Sequence, residues 1–133
     1  MKTIFNYPVE VIMALTEAIK NKKQFYNWLV DNGYEHLAKF SLAVSNNRKA
    51  FNWLLEHAPQ YAAFDQAIDN DPHAKIWLKN NGFGFDIILA DACAGKSDAI
   101  AWLAKNEHDL FIYLAKIIKS DIDERDKYKS PFG

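Results

Sequence analysis

The sequence predicts an all-α fold, an α-solenoid of stacked helix-turn-helix repeats with about ten short helices, and three observations carry that expectation. The first is an internal repeat. Four tryptophans stand at Trp28, Trp53, Trp77 and Trp102, separated by 25, 24 and 25 residues, and each is followed by leucine: Leu29, Leu54, Leu78 and Leu103. The second is agreement between further registers. Ten residues before each Trp is an alanine (Ala18, Ala43, Ala67, Ala92), and three before that a large apolar residue (Leu15, Phe40, Phe64, Leu89). Seven after each alanine comes Phe25, Ala50, Ala74 or Ala99. The third is composition: 133 residues, half of them hydrophobic, form one domain, and 5 Gly with 4 Pro leave little turn material for a sandwich or barrel.

Each unit reads as two helices. The first half, as in Phe40-Ser41-Leu42-Ala43-Val44, places apolar residues at the i, i+3, i+4 spacing of a helix face, and the half running through Trp53 and Leu54 repeats it. Short polar joints separate the halves: Asn21-Lys22, Asn46-Asn47, Asn70-Asp71-Pro72 and Gly95-Lys96-Ser97. These residues cap and turn, with Pro72 suited to the first position of a new helix and Ser97 expected as an N-cap. Asn32-Gly33, His57-Ala58-Pro59 and Asn80-Asn81-Gly82 read as C-terminal stops. The units are therefore 8–33, 34–58, 59–82 and 83–106, with a capping pair over 107–129 in one domain, 1–133. That last copy starts from Ile112 and Ala115, then Ile122, and has Arg125 where Trp is expected. Its charged run Asp121–Lys127 suits a cap facing water. The final Ser130–Gly133 is expected to fray, with Phe132 a candidate for docking.

One hairpin cannot bury its own apolar stripe, so neighbours must stack. The register alanine lets first helices approach closely, and Trp with Leu is expected to fill the core between second helices. The segment Phe40–Pro59, FSLAVSNNRKAFNWLLEHAP, resembles the helical part of an ankyrin repeat, with Leu54-Leu55-Glu56-His57-Ala58 at the position of that family's LLEHGA ending. Asn80-Asn81-Gly82 shares its polar-then-glycine close. The resemblance spans residues 12–119 and is strongest in the second copy. The chain departs from it in its 24- to 25-residue period, against about 33, and in lacking a T-P-L-H opening and room for a β-hairpin. It implies an ankyrin-like helical-hairpin array and carries no specific function.

Composition and charge narrow the role. Net charge is −1 and pI about 6.4, without the cationic excess that nucleic acid or anionic membrane binding requires. No apolar run is long enough to span a bilayer, and Asn6-Tyr7-Pro8 breaks any signal-peptide core. A soluble cytoplasmic protein is expected. Cys93, alone, takes the register of Ile19, Val44 and Ile68 and reads as a buried apolar stand-in. His36, His57, His73 and His108 fall at four different repeat positions, so neither metal nor cofactor is expected; His57 suits the negative end of a helix dipole.

Gly95-Lys96-Ser97 after an apolar run resembles a phosphate-binding loop, but Ala90 stands where glycine must let the backbone wrap a phosphate. A nucleotide- or phosphate-binding role is thus an alternative, as is self-association of a purely structural unit. The leading expectation is a non-enzymatic protein-protein interaction module. Residues 1–50 hold seven Lys/Arg against four Asp/Glu, and 51–110 four against nine. Asp65, Asp69 and Asp91, with Gln66 beside them, are expected to form an acidic row on the first-helix face, where a basic protein partner would bind together with the inter-repeat loops. A solvated acidic face kept for solubility is the plainer reading of the same residues. Tyr26, Phe51, Phe83, Tyr113 and Tyr128 lie off the main registers, as candidates for surface contact or for filling the seams between units.

Overall fold

A computed structural model describes residues 3–127, and among these the regular structure is entirely helical. A 3-10 turn, Ile4–Asn6, leads into α1 (Val9–Ile19) and α2 (Lys23–Asp31), then α3 (Glu35–Ala43) and α4 (Arg48–His57). They are followed by α5 (Pro59–Ile68), α6 (Pro72–Asn80), α7 (Gly84–Cys93), α8 (Ser97–Lys105) and α9 (Asp109–Lys127). The all-α helical-repeat arrangement is therefore present, as four hairpins and a closing helix. Where the spacing predicts a capping pair, α9 is one helix of 19 residues. The run from Ile117 to Lys127 contains no Gly, Pro or Asn to stop it. Tyr128 and the Ser130–Gly133 end with Phe132 lie outside the described residues.

The same backbone device ends each of the first four first helices. The carbonyl of the register alanine accepts the amide of a left-handed residue: Asn21 on Ala18, Asn46 on Ala43, Asn70 on Ala67 and Gly95 on Ala92, each at 2.9 Å. Asparagine tolerates that conformation, which most residues avoid. The next position starts the second helix. Asn47 caps α4 by accepting from the Ala50 amide, and Asp71 caps α6 by accepting from His73 and Ala74. Lys96 holds this place in α8 and gives no side-chain cap, so Ser97 is the first helical residue rather than the cap.

Second helices close in a matching way. Tyr34, Phe83 and His108 donate their amides to Leu29, Leu78 and Leu103, after left-handed Gly33, Gly82 and Glu107. Asn32, Asn81 and Asn106 donate their side-chain amides to the carbonyls of Trp28, Trp77 and Trp102, each at 2.8 Å. This closure sets the register of α9: counting from His108 as from Phe83 puts Leu114, buried like Leu89, at the large apolar position. The Ile112–Ala115 alignment is thus two residues early. The one shortened interval also has a local cause. After α4 no left-handed residue intervenes, and Ala58 donates directly to Leu54 before Pro59 opens α5.

First helices pack in sequence, α1 on α3, α3 on α5, α5 on α7 and α7 on α9, and α9 returns to α1. The array bends into a closed ring. Lys20, at the C-terminal end of α1, donates to the Tyr113 hydroxyl on α9 across the final seam at 2.9 Å. Ile4, fully buried, and Phe5, whose ring lies 5.0 Å from Phe85 and 6.1 Å from Phe111, cover one mouth of the ring. The charged end of α9 crosses the other: Ser45 donates to Asp121, and Arg125 donates to the Val44 carbonyl. The run expected to face water as a cap is therefore partly folded back onto α3.

The tryptophans are not the centre of the core expected of them: Trp53 and Trp77 are half-buried against it, and the other two are exposed. Trp28 and Trp102 are 37 % and 40 % exposed, whereas Leu29, Leu54, Leu78 and Leu103 are completely buried. Adjacent helix positions diverge by about 100°, so only one of each Trp-Leu pair points between two first helices. The indole lies on the flank and stacks on the ring that opens the next unit: Trp28 on Tyr34, Trp77 on Phe83, Trp102 on His108. In the shortened unit His57 takes that role, 4.4 Å from Trp53, and donates to the Trp53 carbonyl at the helix end.

Candidate functional site

Each of α2, α4, α6 and α8 packs on its own first helix and on the next one. Five first helices in a ring create five such places, and among the described residues the place over the α9–α1 seam has no second helix. What an occupied place looks like is shown by the third unit. There Pro59, Ala63 and Gln66 of α5, and His73, Ala74 and Trp77 of α6, line a depression of about 230 Å³, with Leu55 of the preceding α4 on its far wall. The equivalent residues of the first unit, Glu10, Ala14, Glu17, Gln24, Phe25 and Trp28, together with Met13 and Lys22, line a groove of about 970 Å³.

The difference is also written in exposure. Met13 is 37 % exposed; in its register Ala38 and Ala62 are buried, and Ile87 and Ile112 are half-buried. Val9 stands in the register of Tyr34 and Phe83, the residues that receive a preceding indole, and is 63 % exposed. The groove wall is apolar, with Glu10 exposed at its rim. Glu17 is already engaged by Lys20 and Lys22, and hydrogen bonding from Lys22 holds its carboxyl below the usual range against some desolvation.

A second feature is a polar cluster inside the ring. Tyr61 and Asp86 take the register otherwise held by Ile12, Leu37 and Phe111, all buried. Neither Asp86 carboxylate oxygen has a hydrogen-bond partner among the described residues, and burial pushes its carboxyl up to about 7. The Tyr61 hydroxyl lies beside Tyr7 and Gln60 and near Asp86. Tyr7 shares a 2.7 Å hydrogen bond with His36 Nε2, and burial lowers the His36 pKa, favouring the neutral ring. By residue type Asp86 is only one more acidic residue of the first helices. Its register is the signal that sets it apart, since it sits three before Leu89 as Leu37 sits three before Phe40.

The expected acidic row divides. Asp65 follows its register aromatic by one residue and Asp91 follows Leu89 by two, so they point in different directions. Asp65 occupies the register of buried Thr16 and Ser41. Burial, with Asp69 beside it, pushes its carboxyl up to about 7 against the pull of Arg125. Asp65, Gln66 and Asp69 share a shallow depression of about 150 Å³ with Asn46, Asn47 and Arg48. Asp91 is ion-paired with Lys75 at 2.7 Å and Lys96 at 3.2 Å. Burial acts to raise it, but these two lysines outweigh that and hold it low.

The Gly95-Lys96-Ser97 turn is spent on its own helix. The Gly95 and Lys96 amides donate to Ala92 and Asp91, and the Lys96 ammonium to Asn70 and Asp91. Cys93 is fully buried and its thiol is pushed up by desolvation. Among the described residues no group of three or more His, Cys, Asp or Glu is placed to hold a metal ion. His108 packs against Phe5 and Trp102, and His73 is exposed. Phe83 is buried, Tyr26 and Phe51 are half-buried against the core, and Tyr113 is exposed at the seam. Among the described residues no helix is long and apolar enough to cross a membrane.

Fold and groove together define a class: a closed ring of helical hairpins whose outer layer, among the described residues, has one open place. Comparison with protein-family models, with curated proteins and with solved structures finds no match.

Proposed function

We propose that this chain is a non-enzymatic protein-binding module that receives a protein partner in the open place over the α9–α1 seam. The observation supporting this is the apolar groove of about 970 Å³ between α1 and α2, beside that seam; in the third unit Leu55 of the preceding α4 walls the equivalent depression, of about 230 Å³. Exposed apolar surface rimmed by polar residues marks contact sites. The likeness of the second copy to ankyrin helices, and a cytoplasmic setting, belong to the same proposal. Asp65, Gln66 and Asp69, with the joint loops around them, form a second and shallower surface suited to a basic partner.

The test uses a photo-crosslinking residue in place of Met13 and, separately, of Asp69. A partner captured at Met13 is purified and titrated against wild type, Trp28→Lys and Asp69→Lys, all first shown to be equally helical by circular dichroism. Loss of affinity by about tenfold or more in Trp28→Lys alone is expected. Loss in Asp69→Lys alone moves the site to the acidic surface. No partner that binds the purified chain sinks the reading.

A further inference from the structure

Resting on that reading, we propose that the groove takes one particular kind of partner: an amphipathic helix of two to three turns with the pattern Ala-x-x-Trp-Leu, the chemistry of the chain's own second helices. The open place continues an interface that the molecule already makes four times. In each occupied place a completely buried leucine enters between two first helices, after a residue of the Phe25, Ala50, Ala74, Ala99 register. In three of the four, the indole beside that leucine then lies flat on the ring opening the following unit.

The open place presents the receiving half of this arrangement. Val9 holds the position that accepts the indole, and Ala14 lines the groove with no more than a methyl group. On the flank Phe25 and Trp28 form the wall that faces Leu55 in the third unit's counterpart. Across the seam beside the groove, α9 presents Tyr113, exposed and held by Lys20. Glu10 at the rim favours a Lys or Arg on the solvent side of the incoming helix. A large apolar side chain in a pre-formed groove is the helix-in-groove mode of recognition, with anchors at adjacent turns.

The probe is a stapled peptide copying Lys96–Glu107, which carries Ala99, Trp102 and Leu103 on a pre-formed helix; stapling reduces the ordering entropy that a free peptide must overcome. It is titrated into the full-length chain, with amide and indole shifts followed by NMR. We expect shifts centred on Val9, Met13, Ala14 and the Trp28 indole. A peptide with Trp102→Ala and Leu103→Ala should bind at least about tenfold more weakly, as should the native peptide to a Met13→Lys chain. Equal binding of both peptides in the groove would overturn the Trp-Leu pattern and leave helix docking standing. No binding of either, or binding unaffected by Met13→Lys, overturns the inference, while the crosslinking experiment above decides the broader reading by itself. Sedimentation equilibrium covers the other occupant: a dimer abolished by Met13→Lys would show that a second copy fills the groove.

Discussion

The outer layer of this ring offers the same place five times, and the molecule treats one of them differently. Over the α1–α3, α3–α5, α5–α7 and α7–α9 junctions a second helix buries a leucine, while over α9–α1 nothing of the described chain does so. Both kinds of place are built on the same first-helix faces, so what separates them is the covering helix. The contrast shows how a repeat protein can expose an apolar groove without a special motif. Where no described helix covers the first-helix face, Met13 is exposed while its counterparts Ala38 and Ala62 are core.

That contrast is sharpest as a stability comparison. Leu54→Ala, in an occupied place, removes a completely buried side chain and should cost about 2–5 kcal/mol. Met13→Ala, in the open place, should cost well under about 1 kcal/mol, because the residue is already in contact with water. Urea unfolding of both variants checks this. Equal costs would mean that Met13 is covered in solution and would break the comparison.

A second contrast lies between the apolar rungs of the ring interior and the one that carries Asp86. Its carboxyl is raised to about 7 in the fold, so the folded state holds a proton that the unfolded chain releases near pH 4. Stability from this group is therefore present at low pH and is lost as pH rises from about 4 to about 7. Asp65 titrates in the same sense. Asp86→Asn should be more stable than wild type at pH 8 by about 2–4 kcal/mol and should show a shallower fall between those limits. Thermal unfolding across the pH range gives the answer; an unchanged slope would mean that Asp86 is solvated.

The smallest effect separates helix ends. Gly33 and Gly82 close α2 and α6 in the left-handed region, and Glu107 does the same work after α8 at φ 60°. Glu107→Gly should stabilise the chain by about 1 kcal/mol, since the Cβ clash of that conformation is removed. Gly33→Ala should lose a similar amount, read from the same unfolding midpoints.

Much of the fold is legible in the order of residues. The Trp-Leu, alanine and joint registers locate the hairpins, because a helix face and a helix end are local: they depend on spacing, on Asn and Gly at the turns and on Pro72. Cys93 is placed in the core by its equivalence to Ile19, Val44 and Ile68. The same equivalence, applied to Asp86 and Asp65, puts both at inward registers, and that alone is enough to divide the acidic row. The groove was not legible in this way, because Val9 and Met13 carry no motif and are distinguished only by what fails to cover them. The expected Trp role fails for a geometric reason, since a Trp-Leu pair on a helix cannot send both side chains into one groove.

Sequence alone therefore determined the helices, their ends and their pairing in hairpins, through interactions reaching about four residues along the chain. Only the tertiary structure decided that the array closes. Closure needs the turns between successive first helices to add up until α9 meets α1, and each turn depends on packing between residues far apart in the chain. No local spacing encodes such a sum. It is what sets the α9–α1 seam beside the groove that Met13 and Trp28 line.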